Sequence, residues 1–237
     1  MHVIDALHGY AVVINTQLTV AICGYMSFAY GTPMGKTGSY EGIGSGPLSN
    51  LGPRCAGYIG LLSLVQFLIC LMICAFADED WVLFENTLCY LGLSDILFVR
   101  ILYPITCTAI GIGIATFGYI VARSSTRKLQ VIGYYICLIF GASMIGIGVF
   151  TLDAAYTLHM TCVYTMGVSA GLVIGLTAID DFMHGNKATL LLLIVILVGF
   201  TYFSLYNMDY QQPFAYLGMF IWLIGKCIHL ISTDSAY

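Results

Sequence analysis

Residues 131–179 read "VIGYYICLIFGASMIGIGVFTLDAAYTLHMTCVYTMGVSAGLVIGLTAI". They contain two apolar runs, 131–152 and 159–179, joined by a short segment that carries Asp153 and ends at His159. About 20 apolar residues are enough to cross a bilayer as an α-helix. The pattern therefore predicts two antiparallel transmembrane helices that are joined by a tight turn.

The composition extends this interpretation to the whole chain. Of its 237 residues, 59% are hydrophobic and only 8% are charged, and the mean hydropathy is +0.92. Soluble domains carry about 25% charged residues, so this chain has too few charges to cover the surface of a soluble globule. We expect a multi-pass integral membrane protein, and the cell membrane is the expected location.

Five further apolar stretches have the length of a membrane span, which makes seven in all and predicts an all-α transmembrane bundle. Residues 1–55 would form an extra N-terminal helix and a loop rich in Gly, Ser and Pro, and residues 56–237 a six-helix membrane domain. The further stretches are residues 10–31, 56–77, 101–122, 188–206 and 213–232.

Lys and Arg are unevenly distributed between the two sides of such a bundle. With seven spans, Arg100 alone falls on one side, and the other seven of the eight Lys and Arg residues share the opposite side. Cytoplasmic loops are enriched in these residues, so the N-terminus is predicted outside and the C-terminus inside. On this topology Asp153 and His159 lie at the outer face.

Glycines recur on the predicted fifth span. Gly167, Gly171 and Gly175 are spaced four residues apart, so on a helix they form a smooth stripe that lets another backbone approach closely. The third and fourth spans are also rich in glycine. We therefore expect the stripe to face one of these two spans, in a tightly packed core.

Two short motifs carry a family resemblance. Residues 89–92 read Cys-Tyr-Leu-Gly before a Gly-rich span, and Gly-Val-Phe at 148–150 is followed by Asp153 and then by Leu-His at 158–159. This pattern resembles the domain-of-unknown-function family numbered 998. In that family Ser is usual at the first position of the Leu-Gly motif, and Pro is usual where this chain has Thr151.

The resemblance covers about residues 56–231. It implies a six-helix membrane domain, similar in outline to the damage-regulated autophagy modulator group. It supplies no reaction and no cofactor, so the chemistry has to be sought in the residues themselves.

Asp153 and His159 are the leading candidates for catalysis. A histidine at the start of a span can act as a general base, a metal ligand or a headgroup hydrogen-bonder, and a nearby Asp could orient it. The structural alternative, which we prefer, is that Asp153 caps the fifth span and pairs with His159, which ties the turn to the third span.

Arg100 is the only predicted outer cation, at the entrance of the third span. It would pair with Asp95 or hold a phosphate, and both possibilities stay open. The acidic residues nearby match no metal-binding spacing, so we expect a solvated loop. These residues are Asp78, Glu79, Asp80, Glu85 and Asp95.

Lys226, in the seventh span, could hold a retinal Schiff base only beside a carboxylate counterion. Residues 101–122 of the third span contain no Asp or Glu, so Lys226 is instead expected to extend to the inner interface. No span carries a charge near its midpoint, which argues against an ion-coupled transporter.

Two functions remain open at this stage. We prefer a non-enzymatic membrane subunit or scaffold that packs with a partner or binds lipid, because catalytic groups are scarce. The alternative is a lipid-processing or headgroup-binding enzyme with an outer pocket around Asp153, His159 and Arg100. Headgroups or anions would be bound by Arg100, Asp95 and His159.

The expected partners are membrane lipids and either other membrane subunits or a second copy of the chain. Nucleic acid is not an expected partner, because the chain has no basic tail. The nine cysteines are spread singly without zinc spacing, so neither a metal nor a cofactor is predicted.

Overall fold

The computed structural model describes residues 51–83, 85–206 and 211–233, which form six α-helices and one short 3₁₀ helix, Leu88–Leu93, without a β-strand. The predicted all-α class is confirmed. The predicted first span, residues 10–31, lies outside the described residues. The helices are α1 (Pro53–Ala77), α2 (Leu97–Ser124), α3 (Lys128–Val149), α4 (Tyr156–Met183), α5 (Ala188–Tyr206) and α6 (Gln211–Thr233).

Five of these helices are long and apolar enough to cross a membrane, and α5 contains a shorter apolar segment, Ala188–Tyr202. The helices follow the predicted second to seventh spans because each apolar run ends in a polar turn. The C-terminal boundary of α4 differs from the prediction and changes which charged residues belong to a helix. The predicted fifth span ended at residue 179, whereas α4 continues to Met183 and so includes Asp180 and Asp181.

Short turns join α2 to α3, α3 to α4, and α4 to α5. The last of these turns depends on Gly185, whose φ of 91° lies in the left-handed region that side chains rarely adopt. The Gly185 amide donates to the carbonyl of Phe182, which closes the end of α4. The turns make these neighbouring helices antiparallel.

Helix α2 lies between α1 and α3 and contacts both through glycines. A Cβ atom at Gly111 would lie 2.6 Å from the carbonyl oxygen of Gly141 on α3, and one at Gly113 would collide with Ser63 on α1. The backbones therefore approach to distances that only glycine permits. The predicted close packing of the third and fourth spans is confirmed.

The six helices form a closed arrangement, because α6 packs against α1 as well as α5. A Cβ atom at Gly57 of α1 would lie 2.9 Å from the carbonyl oxygen of Cys227 on α6. Across the bundle, α4 and α6 contact each other only narrowly. That narrow contact carries the polar groups described below.

The glycine stripe of α4 does not pack as predicted. No atom of the described residues lies within 4 Å of the position that a Cβ would take at Gly167, Gly171 or Gly175. Helix α4 instead turns the face of Val173 and Thr177 toward Gly133 of α3. The expectation that the stripe faces the third or fourth span is wrong, because the face of α4 that carries Val173 and Thr177 makes the van der Waals contact with α3.

The bundle has two ends, which we name after their arginines. The Arg100 end contains residues 78–100 and the turn 150–155, and the Arg127 end contains the turns 125–127 and 184–187. The start of α1 and the end of α6 also lie at the Arg127 end. That the Arg100 end faces outside stays a prediction.

Candidate functional site: the charged ends of the bundle

Arg100, in the first turn of α2, bonds to Asp153 in the turn between α3 and α4. The distance from Arg100 Nη2 to Asp153 Oδ2 is 2.6 Å, and the two side chains are 50% and 41% exposed. An ion pair this exposed contributes little to stability because water screens it. Its groups therefore remain accessible to a ligand.

The turn keeps Asp153 ionised. Hydrogen bonding by the Thr151 hydroxyl lowers the pKa of Asp153, and the backbone amides of the turn and the charge of Arg100 act in the same direction. Partial desolvation opposes them without reversing the result. At neutral pH this position carries a full negative charge beside a guanidinium.

His159 lies close to this turn in sequence but does not bond to Asp153. Its ring is 2% exposed, and Nδ1 lies 2.7 Å from the carbonyl oxygen of Phe150. Because a carbonyl only accepts hydrogen bonds, Nδ1 is the donor in this contact. Nε2 has no hydrogen-bond partner among the described residues.

These contacts correct the structural interpretation of the turn. Asp153 and His159 do not act as a bonded unit, because Arg100 binds the carboxylate and the Phe150 carbonyl binds the imidazole. Asp153 does not cap α4 either, since Ala155 is the N-cap residue and no side chain bonds there. The partner of Arg100 is Asp153 and not Asp95, which is exposed.

The acidic segment at the Arg100 end folds as an exposed loop. The Asp80 amide donates to Asp78 Oδ1 at 3.2 Å, and the Trp81 indole donates to the Thr87 carbonyl at 3.1 Å. Among the described residues, no three His, Cys, Asp or Glu side chains are grouped closely enough to hold a metal ion. The loop is held by its own hydrogen bonds.

At the Arg127 end, the last turn of α4 buries two adjacent carboxylates. Asp180 is 3% exposed and Asp181 is 7% exposed. Arg127 Nη1 lies 3.3 Å from Asp180 Oδ2, and Nδ1 of His184 lies 3.6 Å from the same oxygen. Buried carboxylates are costly unless they are paired, and here Asp180 has a cation from the start of α3.

Asp181 is bound from two other helices. Gln130 Nε2 of α3 donates to Asp181 Oδ1 at 3.1 Å, and the Lys226 ammonium of α6 bonds directly to Oδ2. Lys226 is only 7% exposed. The expectation that it extends to the interface is wrong, because a buried carboxylate within reach is a better partner for the ammonium than interfacial water.

A second polar contact lies one helical turn away. The Trp222 indole donates to Thr177 Oγ1 at 3.0 Å, and both side chains are buried. Thr177 and Asp181 are four residues apart on α4, and Trp222 and Lys226 are four residues apart on α6. The two contacts therefore stack along one line, and we call them the α4–α6 ladder.

The ladder was not predicted, because the predicted fifth span ended at residue 179 and so left Asp180 and Asp181 outside the helix. The signal that was available is an acidic pair directly after an apolar run, with Lys226 inside another apolar run. Charged side chains within membrane helices usually face the interior and pair with one another. Which helix supplies the partner is not readable from one sequence.

The closed set of apolar helices, with its charges concentrated at two ends, defines a polytopic α-helical integral membrane protein. The family described as "Protein of unknown function (DUF998)" matches residues 61–232. The match covers more than half of the chain, so the chain belongs to this family and the resemblance noted in the sequence is confirmed. No curated protein and no solved structure matches it.

Proposed function

We propose that the protein is a non-enzymatic component of the cell membrane that binds a phospholipid headgroup at the Arg100 end. The observation that supports this function is the exposed pair of Arg100 and Asp153, with an Nη2 to Oδ2 distance of 2.6 Å. It places a cation and an anion side by side where the helices end.

The chemistry of the pair suits a zwitterionic headgroup. A guanidinium has five N–H donors in a planar fork that matches phosphate oxygens, and one hydrogen bond to Asp153 leaves most of them for a ligand. The Asp153 carboxylate can accept hydrogen bonds from a headgroup ammonium. Because the exposed pair is weak, a ligand rearranges it at small cost.

The position of Arg100 is also favourable. Helix α2 has 28 residues. It is therefore about 42 Å long at 1.5 Å per residue. The hydrocarbon core of a bilayer is about 30 Å thick, so residues in the terminal turns lie at the depth of the phosphates. Arg100, in the first turn, thus lies where lipid headgroups are.

The preference for a non-enzymatic role rests on how the polar groups are bonded. The His159 Nδ1 atom bonds to a backbone carbonyl and not to a carboxylate, and the ring is buried. Asp153, the only nearby acid proposed for catalysis, is occupied by Arg100. An acid–base pair is therefore not assembled.

One observation favours the alternative, a lipid-processing enzyme. The Nε2 atom of His159 is buried and has no hydrogen-bond partner among the described residues. An imidazole whose Nδ1–H is held by a carbonyl can use its other nitrogen as a general base when the ring is neutral. Incubation of the purified protein with phospholipids, followed by mass spectrometry, would give products that disappear in His159→Ala.

Headgroup binding is tested by native mass spectrometry of the protein released from nanodiscs that contain phosphatidylcholine and phosphatidylethanolamine. Arg100→Gln should retain fewer lipids than the wild type. The matched control is Arg123→Gln, which removes an exposed guanidinium from the other terminal turn of α2. Arg123 contacts the Tyr119 ring and hydroxyl and has no carboxylate partner among the described residues, so this variant should retain as many lipids as the wild type.

A second arm separates the phosphate from the amine. Asp153→Asn should lose phosphatidylethanolamine while it keeps phosphatidic acid, which has a phosphate but no amine. Equal lipid retention by Arg100→Gln and the wild type would overturn the proposed function.

A further inference from the structure

The α4–α6 ladder joins two helices whose direct packing against each other is slight. Helix α5 packs against both α4 and α6, and α6 also packs against α1, whereas α4 and α6 touch each other only narrowly. At that narrow contact two hydrogen-bonded pairs join the helices, Trp222 with Thr177 and Lys226 with Asp181. The Arg127 end of α6 is thus held to α4 by polar bonds more than by apolar contact.

The contact of the ladder that lies nearer the Arg127 end is a buried ion pair. The side chains of Lys226 and Asp181 are 9% and 10% exposed. Ionisable residues inside membrane helices are costly, and they recur in proton relays and moving elements of membrane proteins. A purely structural contact at this position could be made by apolar residues at no loss of stability. The pair therefore points to a role that depends on charge.

We propose that the Asp181–Lys226 pair is a proton-operated latch that holds the Arg127 end of α6 against α4. A proton from water binds the Asp181 carboxylate and turns the ion pair into a neutral acid beside a cation. The Coulomb attraction is lost, and Lys226 gains more from water than from the uncharged acid. Helix α6 then separates from α4 at this end.

The neighbouring groups provide a route for the proton. Asp180 lies next to Asp181 in the chain, and its partners Arg127 and His184 have side chains 42% and 46% exposed. These side chains stand between the buried carboxylates and water. Exchange of a proton with solvent therefore needs only local side-chain movement.

Two further polar side chains near the pair belong to α3. Gln130 of α3 bonds to Asp181 and does not titrate, and Tyr134 of α3 lies within electrostatic reach of both Asp180 and Asp181. The remaining charged side chains described at this end are exposed to solvent, as is His229 of α6. They are Arg54 in the first turn of α1, Arg123 in the last turn of α2, Lys128 at the start of α3 and Lys187 before α5. Cys227 of α6 is buried against the glycines of α1.

The fluorescence of Trp222 can report whether the latch is closed or open. The chain has two tryptophans, so Trp81→Phe leaves Trp222 as the only one, 5% exposed and bonded to Thr177. In this background, tryptophan emission of the full chain in nanodiscs is recorded as the pH is lowered from 7 to 3. We expect a reversible shift to longer wavelength as the ladder opens.

Substitutions test whether the acid-induced shift in emission depends on the Asp181–Lys226 pair. Asp181→Asn, which cannot ionise, and Lys226→Met should both show the long-wavelength emission already at pH 7. The charge swap Asp181→Lys with Lys226→Asp should restore the short-wavelength emission at pH 7. Asp153→Asn should keep the wild-type transition, because Asp153 lies at the opposite end of the bundle.

Two results would overturn the latch. One is an Asp181→Asn protein that has the wild-type emission at pH 7 together with the wild-type acid transition. The other is a wild-type emission that stays unchanged from pH 7 to pH 3. The second result decides the question without a variant, so it applies even when Asp181→Asn does not fold. Circular dichroism at each pH separates latch opening from loss of helix.

Discussion

The two ends of the bundle each contain an Arg–Asp pair whose members are 53 positions apart in the chain. In the Arg100–Asp153 pair both side chains are at least 41% exposed, whereas in the Arg127–Asp180 pair the carboxylate is only 5% exposed. The chemistry and the sequence separation are the same. The difference arises because Asp153 lies in a turn outside the helices, whereas Asp180 lies in the last turn of α4.

The two pairs therefore differ in what they can do: the exposed pair is accessible to a ligand, whereas the buried carboxylate is part of the packed bundle. The exposed pair can exchange its partner for a ligand, because it is weak and wetted by solvent. The buried carboxylates of Asp180 and Asp181 need their partners, because an unpaired charge inside the bundle is costly. We therefore expect substitutions at the Arg127 end to affect stability and those at the Arg100 end to affect binding.

The largest effect is expected for Lys226→Ala. It leaves the Asp181 carboxylate buried without its cation, which should lower the free energy of unfolding by about 3–5 kcal/mol. Denaturant unfolding in mixed micelles measures the change. Lys187→Ala, an exposed lysine at the same end, is the matched control and should be neutral. Equal effects of the two substitutions would show that burial of the Asp181–Lys226 pair does not make it more important for stability than an exposed charge.

A smaller loss is expected where glycines bring α2 and α3 together. A Cβ at Gly141 would already meet Ala115 Cβ at 2.8 Å, so Gly141→Leu should overpack the contact. The expected cost is about 1–3 kcal/mol in thermal unfolding. Gly171→Leu adds the same side chain where the described residues leave space. A comparable loss in Gly171→Leu would show that another element covers the stripe.

The exposed pair should show coupling without much loss of stability. Arg100→Gln and Asp153→Asn are each expected to lower the unfolding temperature less than Lys226→Ala does. In a double-mutant cycle they should be non-additive, because their side chains bond to each other. Asp153→Ala and His159→Ala should instead be additive. Coupling in this second cycle would show that Asp153 and His159 interact with each other, as the sequence suggested.

The smallest expected effect is the pH dependence of the contribution that Asp153 makes to stability. The turn lowers the pKa of Asp153, so its stabilising contribution is complete above the ordinary carboxyl range and is lost as the pH falls through the lowered folded pKa. The difference in unfolding temperature between the wild type and Asp153→Asn should be constant from pH 5 to 7 and should vanish in stronger acid. A difference that grows on acidification would contradict this account.

Much of the fold was predictable because apolar runs and polar turns are local features. The boundaries of α1, α2, α3 and α6 follow the predicted spans within a few residues. The candidate site was predictable only in part. Asp153 and Arg100 were both identified, but their pairing was not, because the sequence does not specify the angle at which α2 meets the turn 150–155.

Composition and hydropathy by themselves determined that this chain is an all-α membrane protein, because apolar runs of about 20 residues cross a bilayer as helices, whose backbone hydrogen bonds are satisfied internally. Charge distribution determined which residues share an end. Only the tertiary structure decided which charges meet: Asp153 with Arg100, Asp181 with Lys226, and His159 with a carbonyl. Contacts between helices depend on rotation and crossing, and a rotation of one residue, about 100°, exchanges a buried partner for lipid.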